Sequence, residues 1–246
     1  MDDLIVVSCR KPVTSAVFTA VQKLWKTSPP EYLEQDSKML FLGVRVQITS
    51  GGIKVFQPQY TRDMLTKLCG STNLSSRKTP VDADAFLSKP YQHADDPAET
   101  PNKETRKKKL QTAIGALLWL STRTRPDIAY AVSRMASCAT NAIPECERRL
   151  KHCLQYIAGT LDSGLFFAFP TKEEKPQLQV YSDASFSPEG GCSHTGCIAS
   201  LTYPSSQVVH AVSWLSTRQA GVVAKSSAEA ELIGLVTSHE VSLNLS

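Results

Sequence analysis

Two acidic positions in the last third of the chain have the residue types of a divalent-metal site. Asp183 follows the alternating run Gln177-Leu-Gln-Val-Tyr-Ser, and Glu229 and Glu231 lie in the run Ser226-Ser-Ala-Glu-Ala-Glu. Carboxylate oxygens are the ligands that Mg²⁺ prefers, and two such ions about 4 Å apart can clamp a phosphodiester for in-line hydrolysis. The alternative is a solvated aspartate at a strand end and a glutamate favoured by a helix dipole.

The local hydrophobic pattern predicts the elements that would position these acids. Three runs that alternate between apolar and polar residues, over 177–182, 197–203 and 207–215, predict an antiparallel meander of three strands. Asp183 then stands where the first strand ends. Ser226 followed three residues later by Glu229 is a capping box and predicts the start of a helix. The buried stripe of that helix is predicted to contain Ala228, Leu232, Leu235, Val236 and His239.

A second acidic pair and a basic cluster are further candidates. Asp2 and Asp3 lead directly into an apolar, β-branched strand. Residues 69–109 show little periodicity and predict a linker or surface excursion. This stretch carries a basic cluster, which would be solvated or would contact phosphate groups. The cluster consists of Lys103, Arg106, Lys107, Lys108 and Lys109.

Cysteine usage bears on metal binding and on the cellular compartment. Cys192, His194 and Cys197 have the spacing of half a zinc site, but no second pair of ligands follows at a suitable distance. We therefore interpret them as strand and turn residues. The seven cysteines are irregularly spaced, which argues against a disulfide framework and for a reducing compartment.

Composition narrows the class of protein. With 246 residues, of which 41% are hydrophobic, the chain is predicted to form one large or two modest globular domains. A net charge of +4 permits a polyanionic partner without requiring one. No apolar run approaches the roughly 20 residues of a membrane span, and no signal peptide opens the chain. These observations predict an intracellular protein, cytoplasmic or nuclear, with no membrane contact.

The remainder of the chain predicts one hairpin and several helices before the meander. The hairpin turns at Ser50-Gly-Gly, and the helices are indicated by apolar residues at helical spacing. The predicted elements are a helix over 13–24, the hairpin over 40–56, a helix over 60–68, three helices that begin at Leu110, Pro126 and Pro144, and a strand over 164–169.

Four motifs in the last third resemble the ribonuclease H domain of copia-type retrotransposon polyproteins. They are Tyr181-Ser-Asp-Ala-Ser, Ser193-His-Thr-Gly, Val212-Ser-Trp-Leu-Ser-Thr-Arg-Gln and Ser226-Ser-Ala-Glu-Ala-Glu, in this order. The resemblance implies that Asp183 and Glu231 are ligands of Mg²⁺. It leaves Glu229 to cap the helix, although a helical wheel does not choose between the two glutamates.

Earlier motifs resemble the reverse transcriptase of the same elements. Asp2-Asp-Leu-Ile is similar to the second half of the Tyr-x-Asp-Asp hairpin, which implies that Asp2 and Asp3 contribute to the polymerase metal site. Phe41-Leu-Gly-Val, before a glycine turn, resembles the primer-grip hairpin and the entry to the thumb. Gly115-Ala-Leu-Leu-Trp-Leu and Thr124-Arg-Pro-Asp-Ile-Ala resemble the connection between polymerase and ribonuclease H.

The resemblance implies an α+β or α/β architecture in four segments. Residues 1–70 would be the end of the reverse transcriptase palm and the thumb hairpin with its helices. Residues 71–109 would be an irregular basic linker, and residues 110–170 a helical connection. Residues 176–246 would be a truncated ribonuclease H-like domain, an incomplete three-stranded antiparallel meander with one following helix.

The implied function is RNA-directed DNA synthesis together with hydrolysis of RNA in RNA/DNA hybrids. The implied partners are a primer-template, a hybrid and the rest of the polyprotein, and the cofactor is Mg²⁺. The chain alone is expected to be inactive, because the resemblance supplies only part of the acids of each metal site. The alternatives are a non-catalytic nucleic-acid-binding module derived from a retroelement and a fragment without a stable fold or role.

Overall fold

The computed structural model describes residues 4–6, 11–34, 37–82, 102–139, 143–186, 193–219 and 223–245. These ranges contain helices and two antiparallel sheets, which confirms the predicted mixture of α and β structure. None of the helices in these ranges is both long enough and apolar enough to cross a lipid bilayer. α1 (Lys11–Leu24) forms where the amphipathic pattern predicts a helix, but it buries none of its side chains.

The first sheet contains the predicted hairpin, but a turn at Leu42 and Gly43 divides the arm that precedes Ser50 into two strands. β1 (Lys38–Phe41), β2 (Val44–Thr49) and β3 (Gly52–Phe56) pair in sequence order, with a tight turn between β2 and β3. A fourth strand, β4 (Gly164–Ala168), pairs antiparallel with β3. The sheet therefore joins the hairpin to the strand that follows the helical segment.

Helices that lie between β3 and β4 in the chain form the main apolar core. They are α2 (Pro58–Cys69), α3 (Lys103–Arg123), α4 (Ala129–Cys138) and α5 (Ile143–Ala158). A short 3₁₀ turn, Pro126–Ile128, connects α3 to α4. Fully buried leucine and isoleucine side chains of this core include Leu65, Leu117, Leu120, Ile128, Ile143 and Ile157.

The predicted boundary between the basic linker and the first connection helix is wrong. α3 begins at Lys103, so the basic cluster forms its first two turns instead of an irregular stretch. Lysine, arginine and glutamate are good helix formers. The hydrophobic periodicity did not predict these two helical turns, because residues 103–109 include no apolar side chain that could pack against a neighbour.

A buried arginine ties the connection between α3 and α4 to the end of α5. Arg125 is 1% exposed, and its Nε and Nη2 donate to Asp127 at 2.9 and 2.8 Å. Nη1 donates to the carbonyl oxygen of Thr160 at 2.9 Å, and Nη2 to the Thr160 hydroxyl at 2.7 Å. Burial raises the pKa of Asp127, but hydrogen bonds and the charge from Arg125 outweigh burial and lower it overall. These contacts give Arg125 and Asp127 a structural role in this connection.

The second sheet is the predicted three-stranded meander. β5 (Gln177–Ser185), β6 (His194–Tyr203) and β7 (Val208–Arg218) pair antiparallel in sequence order, and α6 (Ser227–Leu243) packs on β5 and β6. The predicted capping box is formed, because the Ser226 hydroxyl accepts a hydrogen bond from the backbone N–H of Glu229 at 3.1 Å. The arrangement of meander and following helix is therefore confirmed.

The predicted buried stripe of α6 is wrong. Leu232, Leu235 and Val236 are 61%, 59% and 54% exposed, whereas the face that packs on the sheet carries small residues. A Cβ added to Gly234 would lie 3.4 Å from the Cβ of Ala184, so helix and strand are in close contact there. A helix that packs closely on a sheet needs small side chains at the contact. A prediction from the spacing of large apolar residues does not identify them. The buried residues of α6 are Ala230, Gly234 and Ser238.

The sheet of β5 to β7 also contacts the helical core. The Trp214 indole N–H donates to the carbonyl oxygen of Ser121 at 2.8 Å, which links β7 to α3. His194 Nε2 lies 2.9 Å from the Ser216 hydroxyl and 3.3 Å from the Ser133 hydroxyl, so β6 and β7 meet α4. His194 Nδ1 is buried without a hydrogen-bond partner among the described residues. This imidazole is therefore poorly placed to accept a second proton.

Acidification is expected to destabilise this junction through His194. His194 is 4% exposed. Burial, together with the charge of Arg134, lowers the pKa of His194 from 6.5 to about 4. Because the folded state favours the neutral imidazole, its contribution to stability is complete above about pH 6.5 and is lost as the pH falls towards about 4. We expect a loss of about 3 kcal/mol in the free energy of unfolding over this interval, measured by urea denaturation at a series of pH values.

The control for this prediction is His194→Gln, which cannot be protonated. Its free energy of unfolding should fall less between the same two pH values, since the buried imidazole of His194 is then absent. Equal pH dependence of the two proteins would contradict the assignment of the effect to His194.

Candidate functional site

The first two turns of α3 bring together all five residues of the predicted basic cluster. Lys108 and Lys109 are exposed, and Lys103 and Lys107 are half-buried. Arg106 is ion-paired with Glu147 at 2.6 Å, so its charge is largely neutralised. The N-terminus of a helix carries the positive end of the helix dipole. The lysines and the dipole therefore add to a positive potential at this end of α3.

The exposed side of α3 continues this surface with an aromatic residue. Trp119 is 39% exposed, and the guanidinium of Arg123 lies 4.4 Å from the centre of its ring. Trp119 and Arg123 lie 11 and 15 residues after Lys108, which places the three on one face of an α-helix. The sequence analysis missed this pair. The sequence pattern that could have revealed this pair is a tryptophan and an arginine four residues apart, outside the buried side of α3.

Asp183 lies on β5, which is an edge strand of its sheet. It pairs with Gly196, and β5 continues to Ser185, so the prediction that the strand ends at Asp183 is wrong by two residues. The side chain of Asp183 is exposed. Its solvent access is compatible with ligand binding.

Asp183 and Glu231 belong to elements that touch, but the two acids are on different sides of the sheet. Ala184 faces α6, because it meets Gly234. Successive side chains of a strand point to opposite faces, so Asp183 projects from the face that α6 does not cover. Glu231 is exposed on α6, one turn before Gly234. The two carboxylates therefore flank β5 from opposite sides.

Glu229 has the capping role that the resemblance implied. Its Oε2 accepts a hydrogen bond from the backbone N–H of Lys225 at 2.6 Å, while its own backbone N–H donates to Ser226. The side chain is thus engaged at the helix start. This leaves Glu231 as the glutamate that is available for another ligand.

The residue types of Asp183 and Glu231 favour Mg²⁺ binding, but their placement does not. Carboxylate oxygens suit this ion, but an arrangement with Asp183 and Glu231 on opposite sides of β5 does not fit one shared ion. In the ranges that the structure describes, no group of three or more His, Cys, Asp and Glu side chains could hold a metal ion. The assignment of Asp183 and Glu231 as metal ligands stays a prediction.

The remaining predicted metal residues do not form a site that the structure describes. Asp2 and Asp3 lie outside the described residues, as does Cys192. His194 and Cys197 are three residues apart in β6, so their side chains point to opposite faces. The interpretation of His194 and Cys197 as strand residues fits this geometry.

Comparisons with known proteins relate most of the chain to retrotransposons. No family model matches the chain. It is 30% identical over 80% of its length to the retrovirus-related Pol polyprotein from transposon RE2 of Arabidopsis thaliana, and 32% identical over 78% of its length to that from transposon RE1 of the same plant. It spans 12% of the length of each. Across 50% of its length the chain is also 34% identical to the secreted RxLR effector protein 161 of Plasmopara viticola, and it covers 82% of that protein.

The relation to the two polyproteins covers about four fifths of the chain. The chain is therefore related over most of its length to Pol polyproteins of copia-type retrotransposons, which confirms the resemblance read from its motifs.

Proposed function

We propose that this chain is a segment of a Pol polyprotein that holds an RNA/DNA hybrid. In this proposal the polyprotein carries out RNA-directed DNA synthesis and hydrolyses the RNA strand of the hybrid, and this segment positions the strand. The observation that carries the proposal is the lysine-rich start of α3 in a chain related to Pol polyproteins.

Binding would use the positive end of α3. Lys103, Lys107, Lys108 and Lys109 can neutralise phosphates and release counterions, which gives affinity without sequence preference. Trp119 and Arg123 on the same helix offer a ring face and a guanidinium to an unstacked base or a neighbouring phosphate. The hybrid would therefore lie along the exposed side of α3.

Hydrolysis would need more than this chain supplies. Two-metal hydrolysis requires carboxylates that converge on one side of the scissile phosphate. Asp183 and Glu231 flank β5 from opposite sides, so we propose that the chain alone binds a hybrid and leaves its RNA strand intact. Mg²⁺ would be held only after other residues of a longer polyprotein had joined one of these acids.

A non-catalytic nucleic-acid-binding module is the second candidate. The same divergence of Asp183 and Glu231 favours it, since the basic end of α3 does not depend on either acid. The relation to a protein named as a secreted effector also supports a role for such a segment outside a polyprotein. Restored hydrolysis in a longer polyprotein would favour the first candidate, and its lack there would favour the module.

The test is an RNA/DNA hybrid with a labelled RNA strand, incubated with the purified chain and Mg²⁺. We expect a bound complex and uncut RNA for both the wild-type chain and Asp183→Asn, because the aspartate lies on β5 and is not part of the lysine cluster of α3. Asn preserves the size of the side chain, so folding is not at issue. Cleavage by the wild-type chain that Asp183→Asn abolishes would contradict the proposal.

A further inference from the structure

The free side of β5 is a surface that the proposed function does not use. In the part of the chain that the structure describes, β5 pairs with β6 alone, so the backbone groups along its other side face no partner strand. Folded proteins usually protect such an edge with lysine, proline, a bulge or a very short strand. β5 is 9 residues long, contains no lysine or proline, and pairs with β6 without a register shift. Its edge is therefore open to pairing with another strand.

The opposite edge of the same sheet is β7, and the rest of the chain contacts it. The Trp214 indole of β7 donates to the carbonyl oxygen of Ser121, and His210 Nε2 lies 2.9 Å from the carbonyl oxygen of Ala168 in β4. Of the two edges, β5 is therefore the accessible one. Pairing through the same edge of two chains closes at two copies and gives a dimer with two-fold symmetry.

The position of α6 on the sheet suits such a dimer. A Cβ added to Gly234 would lie 3.4 Å from Cβ of Ala184 and 3.6 Å from Cγ2 of Thr195, which are directly paired residues of β5 and β6. α6 thus lies above the gap between these strands, which are about 4.8 Å apart. When two copies pair antiparallel through β5, their α6 helices lie on the same side of the joined sheet, about 10 Å apart. Two helices pack at about this distance.

The flank of α6 on the free side of β5 carries apolar side chains that this packing would bury. Ile233 and Thr237 on one flank of the helix are half-buried, whereas Leu235 on the other flank is 59% exposed. The half-buried flank lies over the interior of the sheet, so Leu235 lies towards the free edge. Leu232, on the same side of α6, is exposed, as is Tyr181 on the opposite face of β5.

The size and charge of this surface fit a second copy of the chain. The 9 residues of β5 span about 30 Å, and the sheet with α6 is about 20 Å deep. Each copy would contribute about 600 Å², and the total of about 1,200 Å² is at the lower end of the range for specific interfaces. Asp183 is the one charged residue of β5. Pairing centred on Tyr181 sets it opposite Gln179 of the second copy, so no like charges meet along the strands.

We propose that two copies of this chain pair antiparallel through β5. The pairing joins two three-stranded sheets into one continuous sheet and packs the two α6 helices side by side. The lysine cluster of α3 is not part of this interface. The dimer therefore goes beyond the proposed function and does not depend on it.

Sedimentation equilibrium of the full chain across the micromolar range tests the dimer. We expect a monomer–dimer equilibrium. Leu235→Lys should raise the dissociation constant of the dimer at least about tenfold, because the interface would bury the added charge. The exposure of Leu235 in the single chain leaves folding unaffected. The matched control is Val209→Lys, which adds the same charge at a 60% exposed position of β7 and should leave the dissociation constant unchanged.

Hydrogen exchange tests whether β5 is the paired element. The backbone N–H groups of β5 that do not donate to β6 should exchange more slowly as the protein concentration rises, and Leu235→Lys should abolish this change. A chain that stays monomeric would overturn the proposal. So would a dimer that both lysine variants weaken equally, without added protection in β5.

Binding of an RNA/DNA hybrid to the same variants keeps the two proposals separate. Leu235→Lys and Val209→Lys carry the same added charge and leave the lysine cluster of α3 intact, so each should bind the hybrid. A monomeric wild-type chain that binds the hybrid would overturn the dimer alone. A wild-type dimer that does not bind the hybrid would overturn the proposed function alone.

Discussion

Replacing Arg125 by glutamine is expected to lower the free energy of unfolding by about 3 kcal/mol, at the lower end of the range for breaking a buried ion pair. Arg125 is 1% exposed and donates to both Asp127 and Thr160. Glutamine cannot reach all of these acceptors, so the Asp127 carboxylate and the Thr160 carbonyl oxygen lose the donors that Arg125 supplies. The loss stays at the lower end because the side chain of Asp127 is 36% exposed and regains some hydration.

Arg62→Gln is the matched control for this change. Arg62 also pairs with an aspartate, but the side chains of Arg62 and Asp162 are 41% and 64% exposed. Water screens such a pair, so the free energy of unfolding should change by less than about 1 kcal/mol. Urea denaturation of the two variants beside the wild type measures both values. Equal losses would contradict the role of Arg125 as the buried link between α3, α4 and α5.

Removing two exposed lysines of α3 is expected to have the largest effect on hybrid binding. Lys108→Gln combined with Lys109→Gln removes two phosphate contacts while α3 keeps its helix formers. Each lost contact reduces the salt dependence of log affinity by about 0.9, so the loss of both contacts corresponds to roughly 50-fold weaker binding at about 100 mM salt. Fluorescence anisotropy with a labelled hybrid measures this loss.

The control for the lysine variant removes the same charge elsewhere. Lys67→Gln combined with Lys172→Gln changes two exposed lysines that lie at the end of α2 and before β5. If binding depended only on net charge, the two double variants would weaken it equally. We expect the control to retain most of the wild-type affinity, because its lysines do not belong to the lysine cluster of α3.

Local patterns predicted most of the second sheet. Strict alternation defines β5 to β7, and the pair Ser226 and Glu229 defines the start of α6. These signals depend on neighbours in the chain, so a sequence carries them in full. The hairpin of β2 and β3 was predicted for the same reason. Its pairing with β4 was not, because that contact joins residues far apart in the chain.

Two features of the candidate site depend on tertiary packing and were not predicted. The buried side of α6 is set by the contact of Gly234 with Ala184, where only a small side chain fits without a shift. That contact in turn fixes the face from which Asp183 projects. Trp119 likewise became a candidate only when the buried side of α3 was known. A motif names the residue types of a site, while the packing of elements decides which of them converge.

The salt dependence of RNA/DNA hybrid affinity tests the central claim most directly. If the four lysines of α3 neutralise phosphates, log affinity of the wild-type chain should fall against log salt concentration with a slope of about −3 to −4. The variant with Lys108→Gln and Lys109→Gln should have a slope that is shallower by about 2. A wild-type chain that does not bind the hybrid at low salt, or that binds with a slope near zero, would contradict the claim that this segment holds a hybrid through its phosphates.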